Sequence, residues 1–242
     1  MGYIEDAKEL ITESKETFKE IKEAYEESLH DRTVKPKLLI KIKNFMENLR
    51  SALDFTAHDL FDKYGSSTAS NPNIYFPYAW SGLSLADFQT KNRIERCIPG
   101  LNASRPDIVG MLEGYQWFAN VDNEWLPKFM DLNNENKHQR LTPQTRKETK
   151  ELRIQSGNVG MRLSGGASIK ISGNATIRMG NSIIRGNQHI SPNNPARIEG
   201  DAKQEVITWV SFHFTDNNEP VIPLLEAALN GAEKIINDLD GI

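Results

Sequence analysis

Apolar side chains recur at Ile4, Ala7, Ile11, Phe18, Ile21 and Tyr25, spaced by threes and fours with Glu and Lys between them. A second stripe follows at Leu39, Ile42, Met46, Leu49, Leu53, Ala57 and Leu60. This period is that of an α-helix burying one face, and no strand can hold it. Between the stripes lies His30-Asp-Arg-Thr-Val-Lys-Pro36, whose proline suits the first turn of a new helix, and Gly65 closes the second stripe. Two long amphipathic helices joined by a short break predict a helical hairpin.

Downstream, Ser66 to Ser81 reads as a loop punctuated by Asn71-Pro72 and Phe76-Pro77, with Tyr75, Phe76, Tyr78 and Trp80 folding back onto the bundle. Ser84 with Asp87 has the form of a capping box and opens a helix to about Ile98. Arg105-Pro106 starts a short helix toward Tyr115. Trp125 to His138 forms another, with Leu126, Phe129, Met130 and Leu132 inward. Thr142 to Lys150 reads as a polar linker or helix extension. After it the period changes to two: Val159-Met161-Leu163, Ile169-Ile171, Ile177-Met179 and Ile183, broken by Gly173-Asn174, Gly180-Asn181 and Gly186-Asn187. Gly-Asn between alternating runs suits two-residue hairpin turns, so an antiparallel β-meander is expected, with a short β-solenoid as the rival. Glu205 to Phe214 is apolar on both faces at several positions and predicts a central strand with Trp209 and Phe212 in the core. Pro220 to Leu239 returns to helical spacing. The fold class is therefore α+β: a mainly helical bundle, its N-terminal hairpin closed by a C-terminal helix, with the meander inserted. The expected divisions are 1–140, 141–204 and 205–242, within one compact domain.

None of the apolar runs approaches the roughly 18–20 residues that span a bilayer. The acidic start lacks the apolar core of a secretory signal, and Met1-Gly2 is followed at position 6 by Asp6 rather than a hydroxyl residue. Cys97 is the lone cysteine, so no intrachain disulfide can form. These features predict a cytoplasmic protein without a membrane partner. One Cys and scattered His give no metal-ligand spacing, and no phosphate-loop, dinucleotide or nucleophile-elbow motif occurs, so neither a metal nor a cofactor is expected. Charge, however, is segregated. Between Lys137 and Lys203 twelve Lys and Arg stand against four Asp and Glu, a net +8, which leaves −12 for the remainder of a chain totalling −4. Such asymmetry fits an anionic partner for the basic part, or docking of the two parts on each other.

Two polar signatures sit on the helices. Arg50, Asp54 and His58 are spaced by four, a ladder drifting about 40° per step away from the apolar stripe. Asn133, Asn136 and Lys137 continue the apolar face of the Trp125 helix, with His138 beyond them. The plainer reading is structural: an Arg50–Asp54 pair, a surface His58, and Lys137 locked onto Asp54. The functional reading lines one cleft with Arg50, Asp54, Asn133 and Lys137, Arg50 taking a phosphate or other anion.

The run Asn48-Leu-Arg-Ser-Ala-Leu-Asp54, then Phe76-Pro77, then Asn133-Asn134-x-x-Lys137-His138 resembles a group of uncharacterised bacterial helical proteins. Through them it is distantly similar to the HEPN (higher-eukaryote and prokaryote nucleotide-binding) superfamily. The likeness spans roughly residues 36 to 141 and the terminal strand and helix. It implies a helical, nucleotide-linked fold, a bacterial or phage defence setting, and metal-independent ribonuclease activity. In that superfamily an Arg precedes its catalytic His by four to six residues; here seven residues separate Arg50 from His58, and no Arg–His pair has the required distance.

With the meander's apolar residues inward, Arg162, Lys170 and Arg178 face outward and Arg185 can join them, a basic surface suited to phosphate backbones or simply to solvent. Three functions follow. The first is binding of an anionic ligand, nucleic acid or nucleotide, through the basic half, with Arg50, Asn133, Asn136 and Lys137 as further contacts. The second is a ribonuclease using Arg50, Asp54 and Lys137 with His58 or His138. The third is a non-enzymatic module forming a homodimer through the N-terminal helical hairpin.

Overall fold

A computed structural model describes residues 2–27, 34–66, 72–138, 141 and 143–242, with Asn136, Lys137 and His138 described by backbone alone. The protein is α+β. Met1–Thr145 together with His213–Ile242 forms a helical unit, and Arg146–Phe212 forms a second, β-rich unit.

In the helical unit, α1 (Tyr3–Glu27) and α2 (Pro36–Tyr64) make the expected hairpin. Tyr3 stacks on His58, Phe18 meets Phe45, and Glu20 pairs with Lys41, so the two helices run antiparallel. All six residues expected on the α1 stripe are buried, joined by Ser14. On α2 the buried face is broader than the stripe: Leu38 replaces Leu39, and Phe45, Ala52 and Thr56 are added. The extra width arises because α2 touches α1 and three further helices, two of them long. One is α8 (Val221–Asp240), which buries Val221, Leu224, Leu225, Ala228, Leu229, Ala232, Ile235, Ile236 and Leu239 at the expected helical spacing. Lys8–Asp240 and Lys15–Glu233 pairs set α8 antiparallel to α1. The other is α7 (Trp125–His138), with Leu126, Phe129, Met130 and Leu132 inward as expected. α7 lies against α8 so closely that a Cβ on Gly231 would stand 2.3 Å from the Trp125 ring.

Four short helices separate α2 from α7. Ser84 caps α3 (Leu85–Thr90) by accepting the Asp87 N–H at 3.1 Å. The single helix expected to Ile98 is broken: Asn92 adopts φ 51°, and α4 (Arg93–Cys97) starts afresh. Asn tolerates this left-handed region through its short polar side chain, and it ends the α3 helix there. α5 (Leu101–Ser104) and α6 (Pro106–Gly114) follow, the latter begun by Pro106 as expected, and a 3-10 turn (Val121–Glu124) leads into α7. Among the described residues no helix is long and apolar enough to cross a membrane.

The β unit is antiparallel wherever its ladders have a register, but its order differs from a meander. The polar stretch expected as linker is a long strand, β1 (Gln144–Ser156). It pairs with β2 (Val159–Ser164) through the two-residue turn Gly157-Asn158. β3 (Ile169–Ile171) skips its neighbour and pairs with β6 (Gln188–Ile190), while β4 (Thr176–Met179) pairs with β5 (Ser182–Arg185) across Gly180-Asn181. These two ladders are the base and tip of one long hairpin. Ile171 faces Gln188 but Thr176 faces Arg185, so the register shifts by two residues at the Gly173 and Gly186 corners. Of the expected Gly-Asn turns, Gly180-Asn181 is therefore a hairpin tip; the other two are kinks in the arms. Positive φ at Gly157 (56°) and Gly180 (55°) is the conformation that tight hairpin turns demand. β7 (Ile198–Glu199) adds to β5, and β8 (Lys203–Phe214) adds to β1. Leu152, Ile154, Leu163, Ile171, Met179, Ile184 and Ile190 from all three small sheets form one core with Ala196 of the loop between β6 and β7.

β8 departs most from expectation. It stands at the edge of the order β2–β1–β8, not in the centre. Phe212 is buried as expected, whereas Trp209 is 56% exposed and Val206 41%. Propensity placed β8 in a sheet; only the pairing of distant segments decided which strand would flank it.

Candidate functional site

Arg50 and Asp54 come together one turn apart on α2, with Arg50 Nε donating to Asp54 Oδ2 at 3.1 Å. The other carboxylate oxygen accepts the Phe76 N–H at 2.8 Å. Asp54 therefore ties α2 to the segment carrying Phe76-Pro77. Arg50 leans toward α7, where Nη1 lies 2.8 Å from the Met130 sulfur. Its guanidinium stands 5.7 Å from the Tyr78 ring, whose hydroxyl accepts the Asn134 amide at 3.3 Å. His58, two turns beyond Arg50, drifts to the α1 side and stacks on Tyr3 at 5.0 Å. The ladder thus divides: Arg50 and Asp54 share a site, and His58 belongs to another neighbourhood.

On α7, Asn133 is buried at 3% exposure and its Oδ1 has no hydrogen-bond partner among the described residues. The expected Lys137–Asp54 lock, and the roles of Asn136 and His138, fall on side chains outside the described residues. Among the described residues, Arg50 and the Phe76 amide engage the Asp54 carboxylate.

Gln116, which the sequence reading missed, completes the arrangement. It is fully buried; its amide nitrogen donates to Pro77 O (3.2 Å) and Leu112 O (2.8 Å), and its Oε1 accepts the Ala79 N–H at 2.8 Å. Trp117 Nε1 donates to Trp80 O at 3.1 Å. Residues 74–80 have no ladder of their own; Tyr75 N–H reaches the Cys97 carbonyl at 3.4 Å, and Asp54, Gln116 and Trp117 side chains partner further backbone groups of the segment. The signal was a single amide inside the aromatic run Tyr115-Gln-Trp-Phe118. The segment so held presents Tyr78 under Arg50, and Trp80 with Lys91 and Arg93 at 5.6 and 5.4 Å. Beneath it, burial pushes the Cys97 thiol up, partly offset by a hydrogen bond with Tyr75.

An open cavity of about 380 Å³ lies beside α6, α7 and α8, lined among others by Tyr115, Asn123, Trp125 and Lys234. Its polar groups serve one another: Tyr115 donates to Asp238 at 3.1 Å, Lys234 pairs with the same carboxylate, and Asn123 donates to Gly114 and Gln116 carbonyls.

In the β unit the expected cations do face outward, but on three ladders. Arg162 on β2 lies opposite Arg153, and both pair with Glu151, which Arg153 chiefly holds below its ordinary pKa. Lys170 on β3 lies opposite His189. Arg178 and Arg185 share one face of β4–β5, where Arg185 Nε meets Glu199 at 2.9 Å. Val159, expected inward, is 47% exposed at its hairpin's end. Among the described residues Lys170 and Arg178 have no acidic partner, and no group of three His, Cys, Asp or Glu could hold a metal ion. Ten Lys and Arg against five Asp and Glu give the Arg146–Phe212 unit a net +5, leaving −9 on the helical unit from the total of −4. In comparisons with known proteins, the chain matches no family model, no curated protein and no solved structure.

Proposed function

We propose that the chain binds a nucleic-acid backbone through the outward faces of its β unit. The observation carrying this reading is the segregation of charge: a +5 unit whose Lys170 and Arg178 are exposed without carboxylate partners among the described residues, on a chain that is otherwise acidic. Cations on short, stiff hairpins lose little freedom on meeting phosphates, and counterion release supplies the free energy. The test is fluorescence anisotropy with labelled single- and double-stranded oligonucleotides across a salt series. Affinity should fall steeply between about 50 and 200 mM salt, and Lys170→Ala and Arg178→Ala should each lower the log–log slope by about 1. Absent or salt-insensitive binding would overturn the reading.

The ribonuclease reading is the weaker second. Its support is Arg50, whose Nη1 meets, among the described residues, a thioether alone, a poor acceptor for a guanidinium. Against it, His58 is engaged with Tyr3 rather than with Arg50. Metal-free RNA cleavage by wild type that disappears in both Arg50→Ala and His138→Ala would establish it; equal activity in all three would mark a contaminant.

A further inference from the structure

The outer edge of β8 is a second feature that neither the charge nor the Arg50 cluster explains. Over Val206-Ile-Thr-Trp-Val210 the strand carries no charge, no proline and no glycine, and it ends its sheet with no strand beside it among the described residues. Natural edges are blunted by brevity, charge or glycine bulges. β2, the opposite edge of the same sheet, has such protection, being six residues long with Gly160 and an exposed Arg162. β8 is twelve residues long and exposes Val206 on one face and Trp209 on the other. An edge with alternating free N–H and C=O groups and apolar side chains on both faces matches one chemistry, another apolar strand.

We propose that β8 is a homotypic interface at which two copies of the chain pair edge to edge, antiparallel, across a two-fold axis at Thr208. The segment supplies both halves of such a contact, since an isologous interface needs only a self-complementary patch. A two-fold there sets Val206 opposite the partner's Val210 and Ile207 opposite the partner's Trp209. Apolar then meets apolar on both faces, and an aromatic–β-branched pair forms on one. The uncharged run brings no like charges into register. The two +5 units still repel at longer range, and salt screens that repulsion. Dimerisation therefore strengthens as salt rises, the opposite of nucleic-acid binding, so the two ideas fail independently. The helical hairpin offers less: its apolar stripe is buried within the chain, leaving Ile40 as its most exposed large apolar residue among the described residues.

The experiment is sedimentation velocity on nuclease-treated full chain at low and high salt, for wild type, Trp209→Glu and Ile40→Lys. We expect a dimer in wild type and Ile40→Lys, and a dissociation constant at least about tenfold weaker in Trp209→Glu. Hydrogen exchange on wild type provides a measure free of mutation, in which amides of residues 206–210 gain protection as concentration rises through the micromolar range. A wild-type monomer throughout that range, a dimer that survives Trp209→Glu, one lost only in Ile40→Lys, or concentration-independent exchange at 206–210 would overturn the proposal.

Discussion

Asp54 and Gln116 have the same task, supplying hydrogen-bond partners to a backbone that forms no helix or sheet, but they differ in burial. Gln116 is fully buried and engages three backbone groups, while the Asp54 side chain is 28% exposed and engages one N–H and one guanidinium. Leaving a buried polar group without a partner costs about 1–3 kcal/mol, whereas a half-exposed ion pair one turn apart contributes only tenths. Urea denaturation should therefore rank Gln116→Leu as the most destabilising, Asp54→Ala next at roughly 1–3 kcal/mol, and Arg50→Ala mildest. Asp54→Asn, which keeps an acceptor for the Phe76 amide, should recover most of the loss. If Arg50→Ala proved as harmful as Asp54→Ala, the ion pair rather than the Phe76 bond would be the important contact. The Arg50–Asp54 pairing was legible from spacing alone, because residues four apart on a helix are neighbours. The Phe76 and Gln116 contacts were not, since they join residues 22 and 37–39 positions apart.

Elements repeat the contrast. α1 and α8 were readable position by position, as each buries one stripe and local periodicity names it. α2 was readable in place but not in width, because contact with α1, α7 and α8 together is a property of the assembled bundle. At Gly231 the same packing reverses a familiar rule. Gly→Ala inside a helix ordinarily stabilises by about 0.5–1 kcal/mol, but here the new methyl would enter the Trp125 ring, and overpacking typically costs about 1–3 kcal/mol. Gly231→Ala should lower the melting temperature, while Ala227→Gly, at a partly exposed position of the same helix, tests the ordinary propensity loss; a stabilised Gly231→Ala would show that α7 and α8 are free to part. Among the strands, the hairpin tip at Gly180-Asn181 was visible in composition. The β3–β6 pairing was hidden because nothing in three-residue strands specifies a partner across an intervening hairpin.

At the scale of the whole molecule, two units of opposite charge are joined in one chain, and the β unit has its own acid-sensitive tie. Ser156 and Ser182 both donate to Asp201 Oδ1, at 2.8 and 3.0 Å, and these bonds hold the carboxyl below its ordinary 3.8. A depressed carboxyl contributes stability that is complete above its unfolded value and is lost as pH falls through the folded one. Wild type should thus exceed Asp201→Asn in β-unit stability at neutral pH, and the two should converge once pH drops well below 3.8. Trp209 fluorescence of the β unit during denaturation would follow it, and a gap that persisted into acid would show that the serine bonds do not depend on charge. The sequence by itself determined the helices and their buried stripes, the period-two β segment, the Gly-Asn turn and the segregation of charge, because each is a local property of spacing or composition. Only the tertiary structure decided which strands pair, what anchors the Phe76 segment, which helices widen the α2 face, and that the strand carrying Val206-Ile-Thr-Trp-Val210 lies at an edge. Those outcomes depend on competition between distant segments for the same backbone partners and the same apolar surface, which residue order within any one segment does not encode.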